Sequence, residues 1–599
     1  MITSGEWCWG TSFYHIGSHY GFLFFRCPTS FYNRPKIFER TIKGVTYINY
    51  EYDRVYKPDK KYNIPKRTTI GKKCEDDDTM MYPNPNFMKY FPDAQLPADE
   101  GRDERSSCLR IGTFMVIEKL MMESMVENIV SSIYNNDKGT GLFLDLASYY
   151  LTTENNAGQY YPDYAYNHPL FTPGYKIYSD STVSEFIGQI SIDDSVEFQN
   201  EWNALKKNKD KIYISYDSTN KNCQAGDIEL VEYGHAKDDK GLPIFNYSIA
   251  YDCNNREPLF YEDYPGSIVD VSQLQCMLDK AKAYGYKNAG FILDRGYFSR
   301  ENIKYMDKCG YDFVIMIKGM KALVNDAVKE VKGTFEDSRQ YTIRRFGVNG
   351  TTVERTVFPS DERNRYLHIY YSYSKAAAER EQLEQKIDKL AAYFKKLEGQ
   401  PVVLDKSYEK YFSLEYYHEG QEDQCFVCAI EKSSVIEEEL KMCGYFCIIT
   451  SENMKAKEAL ELYKSRDVSE KLFKADKTFL GNRSMRVYTG DALEGKMLIA
   501  FVALIIRNRM YTKLKDEEEK LLSSPNFMNV PAAIRELEKI EMIRQADGVY
   551  RLDHAVTANQ KIILKAFGID ANYIKRKAEQ ISNELNPKVL KVKINGRKS

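Results

Sequence analysis

The chain has almost no net charge, few tryptophans and no long apolar run, and each shortage narrows what it can be. In 599 residues, 84 Lys and Arg meet 86 Asp and Glu, a formal net charge of −2. No global field of either sign marks a polyanion-binding surface, so any nucleic-acid contact has to come from local charge. The longest apolar stretch, Met497 to Ile506, is too short to span a bilayer and reads as a buried helix, so no membrane partner is expected. The first residues lack a charged segment followed by an apolar one, so no secretory leader is expected. Regular cysteine spacing is also missing: the 12 cysteines are scattered, which fits reduced thiols in a cytoplasm. Cys425 and Cys428 form CxxC, and Cys443 and Cys447 follow as CxxxC, a loose echo of a zinc ribbon. Both pairs sit in strand-like apolar runs, QCFVCAI and GYFCIIT, where cysteine packs as a small hydrophobe.

What is present points to a large mixed protein. Hydrophobic residues make up 43% of the chain, ample for buried cores, and the length allows about four domains on the usual prior. The first hundred residues are rich in aromatics, Lys, Asn and Pro, and KGVTYINYEYDRVY alternates as a strand. Between Thr113 and Tyr134 the apolar spacing is helical, closed by Asn135, Asn136 and Gly139. From Lys211 the texture becomes mixed α/β. KIYISYDST reads as a strand ending at Asp217, followed by the strands FNYSIAYD and PLFYEDYPG. Asp270 is the expected cap of the next helix, NAGFILD is a buried strand ending at Asp294, and Ser299 and Gly310 bracket a short helix. The chain then alternates as β through TIRRFGVNGTTVERTVF and YLHIYYSYS before a charged helix. From Lys561 to Ser599 ten Lys and Arg stand against three Asp and Glu, a local balance of +7 that suits a polyanion-facing tail.

Four polar residues on the late segment carry the chemistry. Tyr463, Arg466, Glu470 and Lys477 fall within a stripe about 60° wide if the segment is one α-helix. A tyrosine, a guanidinium, a carboxylate and an ammonium make a poor packing stripe but a good surface for a phosphate backbone. Two strand-end carboxylates precede them: Asp294 follows Asp217 by 77 residues, and Glu470 follows Asp294 by 176. Catalytic groups gather at strand ends in open sheets. Three carboxylates converging there would form an all-oxygen site suited to magnesium. Nearby, His235 reads as a surface or packing residue, and Lys237 with Asp238 as a turn.

The pattern Y-x2-R-x3-E-x6-K at Tyr463, Arg466, Glu470 and Lys477 resembles the signature of insertion-sequence DDE transposases of the YREK-bearing, cut-and-paste superfamily (insertion sequence four type, large subgroup with a β-rich insertion). Tyr216-Asp217-Ser218-Thr219 and Asp294-Arg295-Gly296-Tyr297 resemble the family's first and second aspartate motifs, and YGHAKDDKGLP and PGSIVD resemble landmarks between them. The resemblance implies an α/β fold. In it an RNase H-like core (206–320 and 441–515) is interrupted by a β-rich insertion with one long helix (321–440). Outside the resemblance, position and charge make 106–205 the expected helical DNA-binding unit before the core and 516–599 a basic helical region after it, with residues 1–105, a β-containing stretch, of open role. The resemblance further implies Asp217, Asp294 and Glu470 as catalytic, metal-holding residues, two Mg2+ ions with Mn2+ as substitute, and Tyr463, Arg466 and Lys477 as DNA contacts. The implied activity is cleavage at terminal inverted repeats and joining of 3′-OH ends to target DNA, with a hairpin intermediate open. The implied partners are double-stranded DNA and a second copy of the chain in a synaptic homodimer, in a bacterial or archaeal cytoplasm at the nucleoid. The alternative is an RNase H-like nuclease or resolvase without strand transfer, for which a grip on a transposon end would be superfluous.

Overall fold

The structure is a computed structural model that describes residues 36–91, 105–585 and 592–593, apart from single residues and short stretches within them, the longest 74–79. The chain divides into two compact units. One is built from residues up to 153, 157–186 and 509–599; the other from 154–156 and 187–508.

The second unit holds a large mixed sheet. Its central strand, β1 (Tyr213–Cys223), runs antiparallel to β2 (Ile244–Asp252), and β2 runs antiparallel to β3 (Glu257–Pro265). Helix α1 (Asp270–Ala283) then crosses to β4 (Gly290–Leu293), and α2 (Arg300–Cys309) crosses to β5 (Asp312–Met316). Both crossovers deliver parallel strands, β4 beside β1 and β5 beside β4, as helical connections of this length require. Ser299 caps α2 through the Asn302 amide, and Gly310 ends it in the left-handed region, as expected from the sequence.

Beyond β5 the sheet continues through β6 (Val348–Arg355) and β7 (Arg365–Tyr371), which reach the core through β10 (Tyr445–Thr450). The alternating strands after Gly319 therefore extend the core sheet. Within 321–440 a separate apolar core forms between the 25-residue helix α3 (Tyr373–Leu397) and the hairpin of β8 (Phe412–Tyr417) and β9 (Cys425–Glu431), around Ile387, Phe394, Phe412 and Phe426. Cys425 and Cys428 lie on that hairpin, whereas Cys447 is buried in the main core. The sheet is apolar on both sides, with Ile214, Phe291, Leu293, Phe313 and Ile449 buried on one and Ile292, Val314 and Ile448 on the other. This mixed α/β sheet is consistent with an RNase H-like core.

Two expected boundaries change. β1 does not end at Asp217 but continues six residues to Cys223. The polar run Ser218–Asn222 looks like a turn in sequence; in the fold it pairs with β2 in unbroken register, and its side chains are satisfied by tertiary partners such as Asn246. The helix expected over 113–134 is two, Gly112–Glu123 and Val126–Tyr134, broken where Met125 takes a positive φ of 62°. That pair belongs to the first unit, in which Cys108–Arg110 pairs with Glu541–Arg544 and Lys577 bridges to Glu118. Residues 187–204 belong to the second unit, where Trp202 is fully buried and donates to the Pro258 carbonyl. Among the described residues, no helix is long and apolar enough to cross a membrane.

Candidate active site

Asp217 sits mid-strand on β1, and Asp294 follows the last residue of the parallel neighbour β4. Parallel pairing therefore sets the two carboxylates side by side at one edge of the central strands. Asp217 accepts the Ser218 amide at 2.9 Å. Asp294 accepts the Gly296 amide at 3.3 Å, capping a short 3-10 turn. Gly296 serves this turn through its N–H rather than through conformational freedom, since an added Cβ would meet only the Asp294 carboxylate at an ordinary 3.6 Å.

The third carboxylate arrives on a helix whose pitch changes twice. The sequence predicts one continuous α-helix for the four-residue stripe. Instead, α4 (Ala456–Lys464) ends before Arg466, α5 (Asp467–Lys474) carries Glu470, and a π turn (Ala475–Phe479) carries Lys477. At the first junction the chain tightens: the amides of Arg466, Val468 and Ser469 reach back three residues, to Tyr463, Ser465 and Arg466. At the second it widens, with the Leu480 amide reaching back five residues to the Ala475 carbonyl. Such pitch changes recur at functional sites.

The tightened junction aims the Arg466 guanidinium at all three carboxylates. Its Nη1 lies 3.2 Å from Asp217 Oδ2 and 3.5 Å from Asp294 Oδ1, and its Nη2 lies 3.1 Å from Glu470 Oε1. The three acids thus converge on one cation, and that cation is a side chain. Their exposure is graded: the Asp217 side chain is 14% exposed, Asp294 35% and Glu470 61%. Burial raises the Asp217 carboxyl to about 6 even though Arg466, the Ser218 amide and Lys237 all favour its charged form. Burial also opposes charge on Arg466, but the surrounding carboxylates outweigh it and hold the guanidinium above its ordinary range. Arg466 Nε is buried without a hydrogen-bond partner. Tyr463 is buried beneath, its ring 5.7 Å from the guanidinium, and burial pushes its hydroxyl up to about 12.

These residues fit a divalent metal by donor chemistry: three carboxylates, all hard oxygen donors, already gathered on a shared positive charge. As they stand, no group of three His, Cys, Asp or Glu among the described residues is arranged to hold an ion. The geometry gives the reason, because the guanidinium is the body around which the carboxylates are spaced.

Several partners escaped the sequence. Asp270 is the first residue of α1 rather than its cap, which is Val269. Its carboxylate accepts the Tyr264 hydroxyl at 2.8 Å and pairs with Lys237 at 3.1 Å. Lys237 does more than shape a turn: its ammonium also donates to the Ser218 carbonyl at 2.8 Å, next to Asp217. Ser215, Asp217 and Lys221 are spaced by even intervals on a regular strand and so share one face. Ser215 meets Ser469 at 2.8 Å, and Lys221 meets Asp476 at 2.8 Å. An ammonium-bearing residue at even spacing from Asp217 was the available signal, hidden because the strand was expected to stop early.

The mixed sheet thus brings two strand-borne aspartates and a helix-borne glutamate around one cationic centre. Residues 213–506, just under half of the chain, match the family model described as the transposase DDE domain. This stretch contains all six predicted site residues. A search of curated proteins finds no match. Among solved structures, the chain matches the piggyBac transposase synaptic complex with hairpin DNA, determined by cryo-electron microscopy. The identity is 8% and the TM-score 0.31, over 69% of this chain and 66% of that one, slightly less than two thirds of its length.

Proposed function

We propose that Asp217, Asp294 and Glu470 form the catalytic site of a DNA transposase of the YREK-bearing insertion-sequence type. It acts on terminal inverted repeats, cleaves the strands and joins the 3′-OH ends to target DNA. The observation that carries this reading is the convergence of the three carboxylates on the single Arg466 guanidinium. Three negative groups facing one positive group leave a formal excess of two negative charges, which a divalent cation would neutralise. When bound, Mg2+ (two ions, with Mn2+ as substitute) would activate the attacking oxygen and stabilise the leaving one in an in-line displacement.

The chain's own residues supply the rest. Asp217 and Asp294, fixed by backbone amides on adjacent strands, offer pre-oriented oxygens, and Glu470, the most exposed of the three, closes the set from the helix. Arg466 offsets one of the three negative charges and turns to the DNA end when metal is held, where its planar fork suits a phosphate. Tyr463 supports the guanidinium from below, and Lys477 adds a point charge toward the backbone. The basic C-terminal region and the helical segment near 106–186, which share a unit, are assigned the terminal-repeat grip. Two copies would pair two transposon ends, and a hairpin intermediate is compatible with this scheme.

The test is a strand-transfer assay with a labelled duplex carrying the inverted repeat that flanks the gene, a target plasmid and Mg2+. Joined product supports the reading. Cleavage without joining would reduce it to a nuclease, and binding without metal-dependent chemistry would refute it.

A further inference from the structure

Lys221 and Asp476 form an ion pair sealed inside the DDE domain. The ammonium lies 2.8 Å from Asp476 Oδ2, with the two side chains 0% and 1% exposed. Lys221 also lies 4.2 Å above the Tyr247 ring and 3.7 Å from the Met497 sulfur. Its proton is held against a desolvation that pulls the ammonium below its ordinary range, with Asp476 the main opposing influence. Burying a charge pair of this kind gains little over apolar side chains of the same size. Stability alone is therefore a weak reason for this pair, and its location offers another.

Asp476 lies in the π turn, directly before Lys477. Lys221 is on β1, four residues beyond the catalytic Asp217 and on the same face. The pair thus ties the π turn to the strand that carries the first aspartate. Further contacts tighten the same tie: Asn482 donates through Nδ2 to Asp476 Oδ1 at 2.8 Å, and Asn156 donates to Asn482 Oδ1 at 2.6 Å. The Asn222 amide donates to the Arg483 carbonyl at 3.0 Å, and Ser484 pairs with Asn222 alongside β1. Turning Asp476 inward fixes the direction in which its half-buried neighbour Lys477 leaves the turn. The widened pitch has a consequence too: Lys477 departs from the stripe angle that a regular helix would give it.

We propose that the Lys221–Asp476 pair is a positioning device for Lys477, setting where that ammonium meets the DNA end. This rests on the reading of Lys477 as a DNA contact and deepens it by naming the residues that aim it. Neither Lys221 nor Asp476 is expected to touch DNA.

A double-mutant cycle in the full-length protein tests the idea, reading the Kd for a fluorescent duplex carrying the flanking inverted repeat at fixed salt. Removing one partner strands a buried charge and invites unfolding, so the pair is replaced together, Lys221→Met with Asp476→Leu. Thermal unfolding close to that of the parent shows that the fold survives; should it not, Lys221→Gln with Asp476→Asn, which removes both charges and keeps the Asn482 contact, takes its place in the cycle. Lys477→Ala is expected to weaken binding about tenfold, and the paired replacement by about three- to tenfold. The combination of all three should be no weaker than Lys477→Ala by more than about twofold. Effects that multiply, or a paired replacement that leaves the Kd unchanged, overturn the positioning role while leaving Lys477 a DNA contact. An unchanged Kd for Lys477→Ala alone overturns both, so the two failures are distinguishable.

Discussion

One face of a single strand carries two charge clusters, and they are built on opposite principles. At Asp217 three carboxylates surround one guanidinium, open to solvent on the Glu470 side, where 61% of that side chain is exposed. Four residues on, roughly 13 Å along the strand, Lys221 and Asp476 balance one to one with no solvent access. The open cluster is short of positive charge and can be completed only by cations from outside. The sealed pair is complete in itself and can only hold elements in place. Imbalance with access suits the proposed chemistry; balance without access suits a scaffold.

The sharpest way to break this distinction is Glu470→Gln, which leaves the size of the side chain and removes one charge from the open cluster. Strand joining should fall at least about a thousandfold, or about 4 kcal/mol of activation free energy, while duplex binding without metal stays within about threefold. Survival of joining would remove Glu470 from the triad. The sealed pair should respond in stability instead. Lys221→Met alone leaves Asp476 buried and unpaired and should cost about 3–5 kcal/mol of unfolding free energy, read by denaturant melts. The same substitution joined with Asp476→Leu should recover most of that loss.

The third prediction concerns the one cation in the open cluster. Arg466→Gln removes the internal competitor for the carboxylates, so Mn2+ should bind more tightly, by about fivefold in titration calorimetry. The same variant should bind the DNA end about tenfold more weakly, through loss of a charge-assisted contact. Tighter metal with weaker DNA is the paired outcome; weaker metal binding would show that Arg466 supports the site instead of guarding it. The smallest effect belongs to the contact beside the open cluster, on the side away from the sealed pair. Ser469→Ala breaks the buried hydroxyl pair with Ser215 and should cost about 1 kcal/mol of stability, with joining altered less than about threefold.

The legibility of the chain followed the same division. The open cluster could be read from sequence because its residues are costly anywhere else: Tyr463, Arg466, Glu470 and Lys477 keep a spacing that packing alone does not ask for, and Asp217 and Asp294 interrupt apolar strands. The sheet around them was also legible where a continuous apolar run dominates, as in FILD. The sealed pair was not, because its members are polar residues whose satisfaction is entirely tertiary. Ser218–Asn222 looked like the end of a strand, since nothing local shows that Asn246 and Asp476 await it. The two pitch changes around Glu470 were hidden for a related reason: helical spacing predicts an average pitch, while the tightening at Arg466 and the widening at Ala475 answer to contacts with β1. The strands after Gly319 alternated as expected, but alternation does not say which sheet a strand will join, and these extend the core.

The most direct measurement is anomalous diffraction from crystals of the full-length protein soaked in Mn2+. Anomalous density within coordination distance of Asp217, Asp294 and Glu470, with the Arg466 guanidinium displaced from among them, is the predicted result. Carboxylates still held on Arg466 at saturating Mn2+, with manganese bound elsewhere or not at all, would contradict it.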